Sequence, residues 1–350
     1  MTSPDAPLPF GRRYRRLMFG VIATGLLLQL LLALFFLSIG HAPKPHDLPV
    51  GLVAGQQTAA ITAKLEEGGS LAVTPYADKA ALARAIKQRD VSGGLVVGPT
   101  GTTAYTAGAG GNLQAATLRA VAAQLDASAG KPPASTTVDV VPLPADDTNG
   151  AVVGYVLQVL ALGGSVASLG LGRLIPRAPR SVRRGVGHAA ALVAYALASA
   201  GVMLAVLHGF GVTAAASGGR LYVDMALLSL ALTASTAGFV ALIGPAGALA
   251  GAIYFLIGAP ISSASLPWQF LSPLWAGVGA SLPTGGGAAV VRSALYFPAA
   301  TDGAAYLCLG LYAGIGVAVI LVTNALGNRS NRTSLRVFDI VTPIAGRHRA

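Results

Sequence analysis

From Leu17 to Ser38 the chain reads LMFGVIATGLLLQLLLALFFLS, 22 residues without a charge. At about 1.5 Å per residue, a helix of that length covers roughly the 30 Å hydrocarbon core of a bilayer. Lipid offers no partner for backbone N–H and C=O groups, so such a stretch is confined to helix. Arg12, Arg13, Arg15 and Arg16 stand just before it, and the positive-inside rule keeps such residues in the cytoplasm. The residues after the span are expected outside, which assigns a side to every later loop. The apolar core exceeds the ~7–15 residues of a signal peptide, and Ser38-Ile39-Gly40-His41-Ala42 is a poor cleavage site. Residues 17–38 are therefore expected to remain as an anchor behind a cytoplasmic tail, 1–16.

Further apolar runs occupy 151–172, 189–207, 221–243, 246–261 and 303–326, with Asp224 near the start of the third as their single charge. Only 11% of the residues are charged, against about 25% in soluble domains. The net charge of +11 does not point to nucleic acid. Of the 24 basic residues, 14 sit in three clusters beside the apolar runs, at 12–16, 173–184 and 329–349. All three fall on the side the first span assigns to the cytoplasm. The expected fold class is a polytopic α-helical membrane protein of six transmembrane helices, with an extracytoplasmic α/β domain between helices 1 and 2. Both termini, including the tail 327–350, are expected inside the cell membrane.

Residues 41–150 hold nine of the 13 acids and read as that α/β domain. Apolar or β-branched runs at Leu48–Ala54, Leu71–Thr74, Val91–Val97, Thr102–Thr106 and Thr136–Val141 are expected strands. Thr58–Glu67, Asp78–Gln88 and Leu113–Leu125 are expected helices. Gly98-Pro99-Thr100-Gly101 reads as a hairpin turn. About 100 residues suffice for one small core.

Residues 262–302 are apolar yet broken by Pro267, Pro273, Pro283, Gly285–Gly287 and Pro298. They are expected to form broken or interfacial helices in the outer leaflet, with Trp268 and Trp275 at the interface and a short helix from Ala288 to Tyr296.

No catalytic set is visible, and the chain is expected not to be an enzyme. G-x-x-x-x-G-K-[ST] and G-x-S-x-G are absent, and the five lysines all lie in 41–150. His41, His46, His188, His208 and His348 lack zinc-ligand spacing, and the single cysteine, Cys308, allows no intrachain disulfide. No cofactor or metal is expected. Gly108-Ala109-Gly110-Gly111 reads as a turn rather than an anion site.

Three charges near the membrane stand out: Asp224, Arg292 and Asp302. The two acids can cap the helices that begin beside them. Alternatively, Arg292 pairs with Asp224 or Asp302 and shapes an outer gate. Gly310-Leu311-Tyr312-Ala313-Gly314 has the small-xxx-small spacing of a close helix contact or a dimer face.

TTAYTAGAGG at 102–111, SLPTGGGAAVVRSALYFP at 281–298 and the apolar run at 303–326 carry a resemblance. With one anchor helix, an outer domain and five further spans, the chain resembles type-2 ABC-transporter permeases. The likeness is to the branch that includes the phage infection protein and related actinobacterial membrane proteins. The resemblance implies the permease subunit of an exporter that pairs with itself or with a second permease and is driven by a separate cytoplasmic ATP-binding subunit. It also implies a cytoplasmic coupling element, for which the candidates are Arg12–Arg16 and the loop carrying Arg173, Arg177, Arg180, Arg183 and Arg184. Expected partners are that ATPase, the second permease copy and membrane lipid, with no nucleic acid. The alternative is a non-transporting, receptor-like surface protein whose outer domain binds a ligand or partner.

Overall fold

The first helix, α1 (Phe10–Gly40), is 31 residues long. The computed structural model describes the backbone of residues 10–132, 136–174 and 181–341, and the side chains of 14–132, 136–172 and 181–326. The chain divides into two units, with the boundary between Lys44 and Pro45. Most leucines of α1 are exposed, the pattern of a helix whose solvent is lipid. Thr24 donates its hydroxyl to the carbonyl of Gly20 (2.8 Å), so this polar group is satisfied within the helix.

The second unit begins with a five-stranded sheet. Its strands are β1 (Leu48–Val53), β2 (Leu71–Pro75), β3 (Gly93–Val97), β4 (Thr102–Thr106) and β5 (Thr136–Asp139), in the order β2-β1-β3-β4-β5. β3 and β4 form an antiparallel hairpin closed by Gly98 N–H to Gly101 C=O (2.9 Å). The other neighbours are parallel, and parallel strands need crossovers. These are α2 (Thr58–Glu66), α3 (Lys79–Gln88) and α4 (Asn112–Ser128). Asp78 caps α3, accepting from the Ala81 N–H (2.7 Å). Each strand and helix expected in residues 41–150 is present, with ends that coincide or shift by up to three residues.

The sheet has two apolar faces with different fates. Leu48, Val50, Leu52 and Leu95 pack with Leu118 and Ala122 of α4. Phe270, from the broken segment some 150 residues away, completes that core. On the opposite face Gly51 and Gly94 leave room for Leu82 of α3: a Cβ on either would lie 2.2–2.5 Å from a Leu82 methyl. Glycine in a strand interior marks such close approach. Leu82 and Ile86 then join an apolar core continuous with that of the membrane helices. The α/β fold is thus completed by residues from 262–302.

The later helices are α5 (Val152–Leu174), α6 (Val182–Gly209), α7 (Gly218–Ile243), α8 (Leu249–Ile253), α9 (Pro273–Ser281), α10 (Pro283–Tyr296) and α11 (Gly303–Val341). α7 is central and packs along α5, α6, α10 and α11. Ser168 of α5 donates to the carbonyl of Thr233 on α7 (3.0 Å), and the Tyr254 hydroxyl donates to Ser235 (3.1 Å). These are the interhelical polar links that small hydroxyl residues provide inside membrane bundles.

Five helical stretches among the described residues are long and apolar enough to cross a membrane: Tyr14–Gly40, Val152–Gly172, Val182–Gly209, Gly218–Gly258 and Gly303–Leu326. The expected separate span at 246–261 merges into the fourth of these. Gly244, at φ +74°, ends α7, and Pro245 comes next. Gly247 then passes so close that a Cβ would lie 2.2 Å from the Phe239 carbonyl carbon. Beyond it lie α8 and a π-turn at Tyr254–Gly258. Ten helical residues rise about 15 Å, half of a bilayer core.

The breaker-rich segment also differs from expectation. The helix expected from Ala288 begins at Pro283, which occupies the first turn where its missing N–H costs nothing. All 14 residues of α10 are buried. Gly285 and Gly287, read as breakers, are contact surfaces. A Cβ on Gly285 would lie 2.1 Å from the Gly279 carbonyl oxygen, and one on Gly287 would lie 2.4 Å from a Leu228 methyl.

Candidate functional site

α10 is the element on which the α/β fold and the membrane helices meet, and arginines fasten the two in both directions. Arg292, on α10 and 5% exposed, reaches into the α/β fold. Its Nη1 donates to the carbonyls of Ala109 (2.9 Å) and Gly110 (3.3 Å). Its Nη2 donates to those of Ser263 (2.9 Å) and Ala264 (2.7 Å). Arg89, at the C-terminus of α3, reaches the other way. Its Nη1 donates to the Ser293 hydroxyl (3.1 Å) and the Ala289 carbonyl (3.4 Å), and the guanidinium lies 5.5 Å from the centre of the Phe297 ring. Burial first, and then the like charge of Arg89, lower the Arg292 pKa to about 10, which leaves it charged at neutral pH. Burial likewise lowers that of Arg89, and Asp302 opposes the shift.

Backbone strain gathers at the same place. Three non-glycine residues among those described have positive φ, and two belong here: Arg89 at 65° and Ser263 at 68°. Arg89 occupies the left-handed helix-end position that glycine usually fills. Such conformations cost about 1 kcal/mol or more and persist where surrounding contacts demand them. The glycine-rich turn Gly108–Gly110 does not work as an anion cradle. It presents carbonyls to a cation, while Asp139 accepts from the Gly108 N–H (3.0 Å). The stretches 102–111 and 281–298 are therefore joined by Arg292.

The expected pairing of Arg292 with Asp224 or Asp302 gives way to these carbonyls. Asp302 caps α11, accepting from the Ala305 N–H (3.0 Å). Asp224 is not a cap: Ser217 fills that place on α7, accepting from the Arg220 N–H (3.2 Å). Asp224 lies nearly two turns further in, buried, where its Oδ1 accepts from the Tyr306 hydroxyl (2.8 Å) and its Oδ2 faces Arg220 Nε at 3.8 Å. Arg220 also donates to the carbonyls of Pro298 (3.0 Å) and Ala300 (2.9 Å). The three expected gate residues thus serve three separate contacts. In a double-mutant cycle, Asp224→Asn and Tyr306→Phe are expected to couple by about 0.5–3 kcal/mol. Asp224→Asn and Arg292→Lys, which share no partner, are expected to add to within about 0.5 kcal/mol. Chemical unfolding of the three single and two double variants in detergent measures both.

Of the expected coupling residues, Arg183 and Arg184 lie in the first turn of α6, where Ser181 accepts from the Arg184 N–H (3.2 Å). Arg173 is near the end of α5 with its side chain outside the described residues, and Arg177 and Arg180 lie outside them altogether. In the N-terminal cluster Arg15 and Arg16 are exposed, and the side chains of Arg12 and Arg13 are not described. Gly310 and Gly314 have no atom within 4 Å of an added Cβ, so within one chain the small-xxx-small motif makes no close contact. That contact is made by Gly316 against α7.

A groove was not legible in the sequence. α5 and α6 each pack along α7 and scarcely touch one another. The slot between them has a volume of about 850 Å³, within the roughly 300–1,000 Å³ of ligand sites. Its walls are largely apolar, from Val152 to Gly163 on α5 and from Tyr195 to Leu207 on α6, with Phe210 just beyond α6. Its polar end is where α5 begins, at Asp146, Asp147, Thr148 and Asn149. Asp147 accepts from the N–H groups of Ala151 (2.9 Å) and Val152 (3.3 Å), and receives a short hydrogen bond from the Tyr296 hydroxyl of α10. Burial, and then that bond, raise the Tyr296 pKa. Asp146, beside it, is exposed. No local signal announces Arg89, Asp147 or Tyr296 as partners across the fold, because each contact joins segments 149–204 residues apart.

Comparison with protein-family models, with curated proteins and with solved structures returns no match for this chain.

Proposed function

We propose that the chain is the membrane subunit of an exporter. It moves a membrane-partitioned, amphipathic substrate outward and is driven by a separate cytoplasmic ATPase. The observation that carries the reading is the fastening of the α/β fold to α10. A protein that only anchors a surface domain needs one span and a linker. Here Arg292 and Arg89 tie the domain to a fully buried helix wedged against α7 and α11. Displacement of α10 is therefore felt in the α/β fold, and the reverse, as transport between two sides requires. In this reading the α/β fold lies outside the cell, both termini lie inside, the folded-back arm at 249–258 serves as a short sixth crossing, and two copies assemble. The loop from Arg173 to Arg184 meets the ATPase.

Two experiments test it. In a Cys308→Ala background, Ser128→Cys is expected to react with an impermeant thiol reagent on intact cells, and Arg183→Cys only after permeabilisation. The reverse pattern overturns the threading and the exporter with it. Second, the chain purified from its native membrane in mild detergent is expected to bring down a P-loop ATPase whose turnover rises in its presence. That association is expected to fall at least about tenfold when Arg173, Arg177, Arg180, Arg183 and Arg184 are all changed to Gln. Absence of such an ATPase after cross-linking sinks the proposal.

A further inference from the structure

We infer that the groove between α5 and α6 is a binding site for a single-chain amphiphile with a cationic head. This deepens the exporter reading, on which it rests, by naming the chemistry of what is moved. The groove opens sideways from two helices that are long and apolar enough to span a bilayer. Its walls extend from Ala151 to Gly163 along α5, about 18 Å at 1.5 Å per residue. Val159 and Val202, at 56% and 66% exposure, stand at its open side. An occupant therefore enters from the apolar phase and lies along the helices. That is the behaviour of an alkyl chain.

The head is set by charge. The chain carries a net charge of +11, yet among the described residues the only charged ones lining the groove are Asp146 and Asp147. Both stand at one end. Asp147 is held by the first N–H groups of α5 and by Tyr296, so its position is fixed by the fold. Asp146 is exposed and lies beside Gly211, at the end of α6, 3.6 Å from where a Cβ there would stand. An acidic rim closing an apolar trough complements an ammonium head on an alkyl tail and repels a carboxylate or sulfate head. At a few ångströms, even in the high dielectric of an exposed mouth, one such charge supplies a preference on the order of tenfold. Because Asp147 joins α5 to Tyr296 at the end of α10, an occupied groove acts on the same helix that Arg292 ties to the α/β fold.

The test uses the full chain in phosphatidylcholine nanodiscs without any ATPase. Electron paramagnetic resonance measures the motionally restricted fraction of three chain-spin-labelled probes: a hexadecyl trimethylammonium, a hexadecanoate and a phosphatidylethanolamine. The ammonium probe is expected to associate about tenfold more strongly than the carboxylate. Asp146→Asn is expected to cut that ratio at least threefold, and Asp146→Lys to invert it. Val159→Trp, which fills the groove, is expected to abolish the restricted ammonium component. Val166→Trp, on the same helix but outside the groove, is expected to leave it unchanged and controls for folding. Equal binding of the two single-chain probes, or indifference to Asp146→Asn or Val159→Trp, overturns the site. Restriction of phosphatidylethanolamine equal to that of the ammonium probe also overturns it, by showing a seat for resident lipid. If the selectivity stands and no ATPase is found, the site survives and the exporter reading fails.

Discussion

Arg292→Ala is expected to destabilise the second unit by about 3–5 kcal/mol, the cost of deleting one side of a buried, charged hydrogen-bond set. Four carbonyls, those of Ala109, Gly110, Ser263 and Ala264, lose their donor together. Those of Ala109 and Ala264 are buried and those of Gly110 and Ser263 partly so, and their desolvation goes uncompensated unless water reaches them. Arg292→Lys keeps the charge, but one ammonium replaces two separated nitrogens, so part of the loss is expected to remain. The loss has a direction as well as a size. The α/β fold is expected to loosen from α10 before the helices separate, because Arg292 and Arg89 tie it there. Hydrogen exchange is expected to show faster exchange in Gly108–Gly111 and in α3, with α7 and α11 unchanged. Protection unaltered in both places, with wild-type thermal stability, would show that the guanidinium is not what holds the two parts together.

Gly316→Val is expected to cost about 3 kcal/mol or more, at the upper end of overpacking effects. A Cβ on Gly316 would lie 2.3 Å from the Ala234 carbonyl carbon and 2.6 Å from the Ser235 nitrogen. These atoms are backbone and have no rotamer to give way, so α7 and α11 must part. That contact is the closest-fitting part of the bundle's largest helix pair, with Gly238 facing Gly316 from α7. Gly310→Ala and Gly314→Ala, which meet no atom within 4 Å, are expected to stay within about 0.5 kcal/mol of wild type or to gain slightly in helix propensity. If the exposed pair forms a face between two copies, Gly310→Ile is expected to weaken self-association while leaving the melting curve of helicity in place. Equal effects at 310, 314 and 316 would mean that the α7–α11 contact is not set by Gly316. Thermal melts and cross-linking of the same samples read both quantities.

The difference between Gly316 and the Gly310–Gly314 pair shows where sequence reading runs out. All three are small residues in one apolar helix, and the repeat spacing does not single out the one that meets α7. Which face of α11 meets α7 is decided by the whole bundle, not by the local repeat. The segment 262–302 shows the same limit. Its prolines and glycines read as interruptions because a local window sees only what they break. In the fold, Pro283 starts a helix, Gly285 and Gly287 let it pack, and Phe270 fills the core of a sheet formed by residues 48–139.

Sequence alone determined the membrane-helix class of the chain, the positions of four long apolar helices besides the fourth, longer one, and the order of strands and helices in residues 41–150. Those features depend on hydropathy period, charge and turn residues within some 20 positions, where the physics is local. Tertiary structure alone decided that 246–261 folds back as an arm, that Arg292 is spent on backbone carbonyls rather than on Asp224 or Asp302, and that α5 and α6 part to leave an acid-rimmed groove. Each of those outcomes is a choice among partners far apart in the chain. A buried guanidinium takes whichever acceptors the packing brings within about 3 Å, and no spacing in the sequence records which ones arrive.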